Sequence, residues 1–197
     1  MDTIALKPKL TRLKLSGILD TLGSRLEQAQ GEKWSYSQFL DFLLSDEVER
    51  RDHKQLVRRL SKSGLDPEKT LTTFDFSFNS KIHEPAIREL ATCRFLEKNE
   101  CLLLLGPSGV GKSHLAQAIG NEAVRRGYEV LYRRTSALLG WIASGEGDGT
   151  RERRLRQTIS VGVLILDDFG MKPLSEAQQS DLYELICERY ERAPSII

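Results

Sequence analysis

The sequence predicts an α/β fold, a parallel sheet flanked by helices with a small all-α segment in front, and three observations carry that prediction. Residues 101–105, Cys-Leu-Leu-Leu-Leu, form a short apolar run ending at Gly106, as a buried strand of a parallel sheet does. The glycine-rich loop GPSGVGKS follows at 106–113, and residues 114–126 then place Leu115, Ala118, Ile119 and Ala123 on one helical face before Gly127 stops the helix. A second apolar run, Val163-Leu164-Ile165-Leu166, ends in two carboxylates, Asp167 and Asp168.

From the amino end, Leu10, Leu13, Leu15, Ile18, Leu19, Leu22 and Leu26 recur at helical spacing, and Gly31 is the expected stop. Ser35 or Ser37 is placed to cap a second helix carrying Phe39, Leu40, Phe42, Leu43, Val48, Leu56, Val57 and Leu60, closing near Gly64 and Pro67. Residues 1–66 therefore read as a bundle of two or three helices, too few for a large core and so a candidate partner-binding surface. Arg50, Arg51, Lys54, Arg58, Arg59 and Lys62 crowd the end of the second helix; nucleic-acid contact and a solvated helix face both fit them.

Residues 67–99 are a connector and a further helix. Within it, 70–79 alternates Phe74, Phe76 and Phe78 with polar residues, a strand-like pattern that also suits the purine side of a nucleotide site. Residues 100–197 form the α/β core. After the 114–126 helix come a strand at 128–134, a helix at 136–143 with Leu138, Leu139 and Ile142 facing inward, and a loop, SGEGDGT, at 144–150. Arg151, Arg153, Arg154 and Arg156 follow, four arginines in six positions, each able to fork onto phosphate oxygens; a solvated helix is the alternative. Beyond Asp168 the chain turns, Ser175 with Gln178 resembles a capping box for a helix to about Arg192, and 195–197 begins another strand where the chain stops.

Composition excludes some classes. A net charge of +1 gives no global argument for nucleic acid, and Cys93, Cys101 and Cys187 are widely spaced without a C-x-x-C, as reduced thiols in a cytoplasmic protein are. No leader pattern opens the chain, and its apolar runs fall far short of the ~20 residues a membrane span needs.

GPSGVGKS is a complete G-x-x-x-x-G-K-[ST] phosphate loop between a strand and a helix. Its glycines let the backbone amides of Gly106, Ser108, Gly109, Val110 and Gly111 turn toward phosphate, with Pro107, which has no N–H, shaping the turn, and the start of the following helix, at about Lys112, Ser113 and His114, adds positive potential. Lys112 suits the β- and γ-phosphates of ATP, and the Ser113 hydroxyl suits the accompanying Mg²⁺. The Val163–Asp168 run matches the second acidic motif of such sites. Asp167, on a strand expected to lie directly beside that of the loop, is the metal residue, and Asp168 the residue that activates water.

Together these pieces resemble the IstB family of insertion-sequence helper ATPases, grouped with the DnaC and DnaI helicase loaders in the AAA+ superfamily. The resemblance spans essentially the whole chain: "LTRLKLSGILDTLGSRLEQA", "YSQFLDFLLSDEVERR", "KTLTTFDFSFN", the loop and its helix, and "VLILDDFGMKPLS". It implies an AAA+ P-loop sheet that binds ATP with Mg²⁺ at Gly106–Ser113, Asp167 and Asp168. It also implies self-association on duplex DNA with little sequence preference through Arg151, Arg153 and Arg154, delivery or stimulation of a transposase, and no membrane partner. The polar residue at the next strand's tip, the arginine finger and the lid of such proteins lie beyond the last residue here, which leads to the expectation of impaired turnover. A DnaC-like loader holding single-stranded DNA is the alternative, and a scaffold or small-molecule kinase with no nucleic-acid role a third.

Overall fold

The computed structural model describes residues 5–79 and 81–197. It divides into two compact units, one reaching Arg58 and the other running from Arg59 to Ile197.

The first unit is helical. Where one leading helix was expected there are two, α1 (Lys7–Arg12) and α2 (Ser16–Glu32), because the chain turns at Lys14, whose φ is +57°. Gly31 lies inside α2, which ends instead on left-handed Lys33. The third helix, α3 (Tyr36–Ser63), opens on the first of the two candidate caps: Ser35 Oγ accepts from Gln38 N at 3.3 Å and Gln38 Oε1 from Ser35 N at 2.9 Å. Ile18, Leu22 and Leu43 form the buried centre, with Leu10, Leu15, Leu26 and Phe39 against it. No side chain of its own caps α2; the Glu47 carboxylate of α3 does so, accepting from Gly17 N at 2.6 Å and Ile18 N at 3.3 Å. Gly17 permits that approach, since a Cβ there would stand 2.7 Å from Glu47 Cα. Part of the basic cluster on α3 is engaged within this unit: Arg50 pairs with Asp20, and Arg51 holds Glu47 Oε1 at 2.7 Å.

In the second unit the connector does not form the expected strand. Thr73 Oγ1 donates to Glu68 O at 2.7 Å and Asp75 Oδ1 accepts from Ser77 N at 2.9 Å, so backbone polar groups are satisfied locally and residues Phe76–Phe78 wind into a 3₁₀ turn. The remaining elements are α4 (Glu84–Leu90), α5 (Arg94–Glu97), α6 (Lys112–Arg125), β1 (Val130–Arg134), α7 (Thr135–Ala143), α8 (Arg151–Ile159), β2 (Val163–Asp167), α9 (Glu176–Arg189) and β3 (Ser195–Ile196).

The strands are parallel in the order β1-β2-β3, with Arg134 opposite Asp167 and Leu164 opposite Ser195. Residues 101–105 run along the outer side of β3: Leu102 N donates to Ser195 O, Ile197 N to Leu102 O, both at 2.9 Å, and Leu104 N to Ile197 O at 2.7 Å. Two expectations are thereby corrected. β3 intervenes between the run that precedes the glycine-rich loop and β2, so the two motif-bearing segments are not neighbours. That run is also not a buried strand; it forms one isolated bridge at the edge of the described sheet, leaving Leu103 59% and Leu105 88% exposed.

β2 is buried on both faces, which explains its unbroken apolar sequence. Ile165 faces α6, whose Gly120 lies so close that a Cβ would meet Ile165 Cδ1 at 2.6 Å. Leu164 and Leu166 point the other way, into a core with Leu138, Ile142, Leu155 and Leu185 from α7, α8 and α9. Arg189 ties this layer to β3: its guanidinium donates to Ile159 O at 2.8 Å, Val161 O at 2.6 Å and Pro194 O at 2.5 Å. Burial lowers its pKa to about 10.

Candidate nucleotide site

The glycine-rich loop closes onto α6 at Gly111, which has a φ of +95° and no side-chain cap bond. Glycine is required there twice over, by that torsion and because a Cβ would lie 2.6 Å from Phe74 Cε2. Phe74 packs edge-on against His114 at 5.1 Å, and the His114 ring nitrogen Nε2 sits 2.9 Å from Thr70 O. The His114 side chain thus anchors the connector to the first turn of α6. Connector and loop are one construction, although the connector's sequence pattern pointed to a strand.

Gly106, Pro107, Ser108 and Gly109 are exposed, with Val110 half-buried beneath them. Lys112 folds back over its own loop, Nζ donating to Gly106 O at 2.9 Å and Pro107 O at 2.7 Å. An ammonium has three donors, so its charge is held inside the loop with capacity left for phosphate oxygens.

α6 packs over β1 and β2, and this carries the first turn of the helix to the tip of β2 despite the intervening strand. Ser113 Oγ donates to Asp167 Oδ1 at 2.8 Å. The same oxygen accepts from Asp168 N at 3.0 Å, Asp167 Oδ2 accepts from Tyr132 OH at 2.6 Å, and the Asp167 carbonyl from Thr135 Oγ1 at 3.0 Å. Burial, then the bond to Asp167, raise the Tyr132 phenol well above its ordinary range. Asp168 turns out of the sheet with a φ of +53°, a left-handed conformation that aspartate adopts more readily than most residues. Its carboxylate is exposed and lies 3.4 Å from Arg134 Nε. The sequence reading missed Tyr132, Thr135 and Arg134; the one signal available was their position at and just after the end of a strand expected beside the acidic run.

Two hard oxygens, of Ser113 and Asp167, meet beside a phosphate-type loop, and among the described residues no three His, Cys, Asp or Glu gather as a metal cage. That donor set fits Mg²⁺, which keeps waters and phosphate oxygens as its other ligands.

The arginine segment opens α8. Arg151 pairs with Asp181 of α9, a wholly buried carboxylate. Arg154 lies over the Trp141 ring at 5.2 Å and donates to Trp141 O at 2.5 Å and Ser144 Oγ at 2.6 Å. Arg156 pairs with Glu152, while Arg153 is exposed at the surface. The three arginines singled out in the sequence do not converge on one outward face.

Residues 8–197 match the model of the IstB-like ATP binding protein family. The chain belongs to that family. An insertion-sequence ATP-binding protein of Mycobacterium tuberculosis is 41% identical over 185 residues, covering 94% of this chain and 74% of the relative. Among solved structures, DnaI superposes with a TM-score of 0.56 at 27% identity over 68% of this chain and 74% of its own. DnaA bound to AMPPCP and single-stranded DNA superposes with a TM-score of 0.59 at 26% identity over 68% of this chain. The chain spans 42% of the length of that DnaA. The neighbours are AAA+ P-loop domains, and the parallel sheet flanked by helices is the fold of this family member. Among the described residues, no helix is long and apolar enough to cross a membrane.

Proposed function

We propose that this member of the family is an ATP-dependent transposition helper that binds Mg²⁺·ATP, assembles with further copies on DNA and recruits or stimulates a transposase. The observation that carries the nucleotide part is the 2.8 Å contact between Ser113 and Asp167 at the foot of the loop. It unites the two motifs where metal and phosphate must meet. Backbone amides of Gly106 and of Ser108 to Ser113, with the Lys112 ammonium, would hold the phosphates, and Ser113 and Asp167 would hold the magnesium, whose charge would offset that of the phosphates. Asp168 is the residue placed to orient water for hydrolysis. Its contact with Arg134 and its short side chain favour slow turnover in the isolated chain.

The insertion-sequence relatives support the transposition role, and Arg153 is the best-placed phosphate contact of α8. Arg151 and Arg154 instead shape the element that presents it. A single such contact binds DNA weakly, so occupancy depends on copies linked through ATP. Log affinity should fall with log salt by about 0.9 for each duplex phosphate neutralised.

Fluorescence anisotropy with labelled duplex tests this reading. The wild-type chain should bind with Mg²⁺·ATP and release in its absence, Lys112→Ala should lose the ATP response, and Arg153→Ala should weaken binding with ATP affinity intact. DNA binding indifferent to ATP in all three proteins rejects it. The likeness to DnaI and to a DnaA bound to single-stranded DNA favours the loader reading as second; tighter binding of a single strand than of duplex would select it.

A further inference from the structure

We propose that Tyr132 is a positioning residue for the metal carboxylate, holding Asp167 so that one of its oxygens stays aimed at Ser113; the assignment rests on the nucleotide reading above. Asp167 is secured from both sides. Oδ2 accepts from the Tyr132 hydroxyl at 2.6 Å, and Oδ1 faces Ser113 Oγ at 2.8 Å and Asp168 N at 3.0 Å. When Ser113 turns its hydroxyl to a metal, Tyr132 is the one side-chain donor left on this carboxylate among the bonds described.

The geometry follows from the sheet. Tyr132 is paired with Ile165 and Arg134 with Asp167, so Tyr132 and Asp167 occupy the same face as diagonal neighbours. Such neighbours lie about 7–8 Å apart between backbones, a gap a phenol spans and a serine or threonine does not. Nothing shorter at position 132 delivers a hydroxyl to Oδ2, and phenylalanine fills the same space without the donor. Thr135 adds a bond to the Asp167 carbonyl at 3.0 Å and steadies the backbone beneath, but leaves the carboxylate free to rotate. Hydrogen bonds of this kind to a ligating carboxylate set its orientation, and removing one typically costs 10–100-fold in metal affinity.

The test is titration of a fluorescent ATP analogue into the wild-type chain and Tyr132→Phe, in EDTA and at rising Mg²⁺. Affinity in EDTA, set by the loop and Lys112, should be equal in the two proteins. The Mg²⁺ concentration at half of the metal-dependent gain should rise about tenfold or more in Tyr132→Phe. An unchanged Mg²⁺ midpoint overturns the assignment and leaves the nucleotide reading standing; a wild-type chain that binds no nucleotide in either buffer overturns both. Equal losses in both buffers from a variant that melts like wild type mark a merely structural tyrosine and also overturn it. If the variant does not fold, wild-type protein carrying ¹³C at tyrosine Cζ decides. The Tyr132 resonance should move when Mg²⁺ joins the bound nucleotide, and an unmoved one overturns the assignment.

Discussion

Two helix N-termini in this molecule are built in opposite ways. At the start of α2 the protein supplies its own anion: the buried Glu47 carboxylate accepts from Gly17 N and Ile18 N and is itself held by Arg51. At the start of α6 no side chain caps the helix, the residue before it is a glycine at φ +95°, and the nearby cation, Lys112, is turned toward the loop. Both ends carry the same partial positive charge. One is a structural joint and the other is suited to a ligand's phosphates, and the difference lies in whether the fold brings a carboxylate to it. The arginines of α8 divide along the same line, Arg151 neutralised internally by Asp181 and Arg153 facing outward.

The largest effect should come from that last pair. Arg151→Ala leaves the wholly buried Asp181 carboxylate without its partner and should destabilise the chain by about 3 kcal/mol in urea unfolding. Arg153→Ala should stay within about 0.5 kcal/mol of wild type. Equal stability losses would dissolve the distinction between a structural and an outward-facing arginine.

Next in size is Gly111→Ala. It forces alanine into a left-handed torsion and against Phe74, at a cost of about 1–3 kcal/mol. Calorimetry with Mg²⁺·ATP should show an affinity weaker by up to the factor to which that cost corresponds, about 5- to 150-fold. Adding Phe74→Ala removes the collision but not the torsion, so recovery should be partial. Complete recovery would mean the torsion is unimportant.

Why these distinctions were only half visible in the sequence is a matter of range. GPSGVGKS and the Val163–Asp167 run are local patterns whose backbone needs fix their residue types, and loop, helix and strand form where those patterns placed them. The capping box at Ser175 was legible for the same reason, and so was a serine cap on α3, narrowed to Ser35 or Ser37. Sheet order was not, because the strand that separates the two motifs, Ser195–Ile196, does not lie between them in sequence but follows both. Nor was the use of each charge. The partners of Arg151 and Tyr132 lie 30 and 35 residues away, and nothing in an arginine-rich string says which members are already neutralised. The alternating phenylalanines of the connector misled because Asp75 and Thr73 capture backbone groups that a strand would have paired.

Glu47→Gln probes the filled N-terminus directly. It keeps the shape but removes the charge that faces Gly17, Ile18 and Arg51, and should cost about 1–2 kcal/mol of stability. ATP affinity should be unchanged, since the α6 end makes no use of this group; a parallel fall in nucleotide binding would show that the two helix ends are not independent.

The smallest predicted effect sharpens the same comparison through pH. Asp46, next to Glu47 on α3, accepts two bonds from Arg25 at 2.8 and 2.6 Å, and this partner lowers its pKa to about 2 against an ordinary 3.8. A depressed carboxylate contributes stability that is fully present above its unfolded pKa and is lost as pH falls through the folded one. Wild type should therefore exceed Asp46→Asn by about 1 kcal/mol at pH 6, allowing for solvent screening of a partly open pair. The gap should narrow below about pH 4 and close near pH 2. Arg25 stays protonated throughout, and the depressed Glu47 is common to both proteins, so it cancels in the difference. Urea midpoints measured from pH 2 to 6 give the curve. A gap that persists undiminished at pH 2 would assign the loss to packing around Phe42, on which the Arg25 guanidinium lies at 5.2 Å, and not to the charge of the pair.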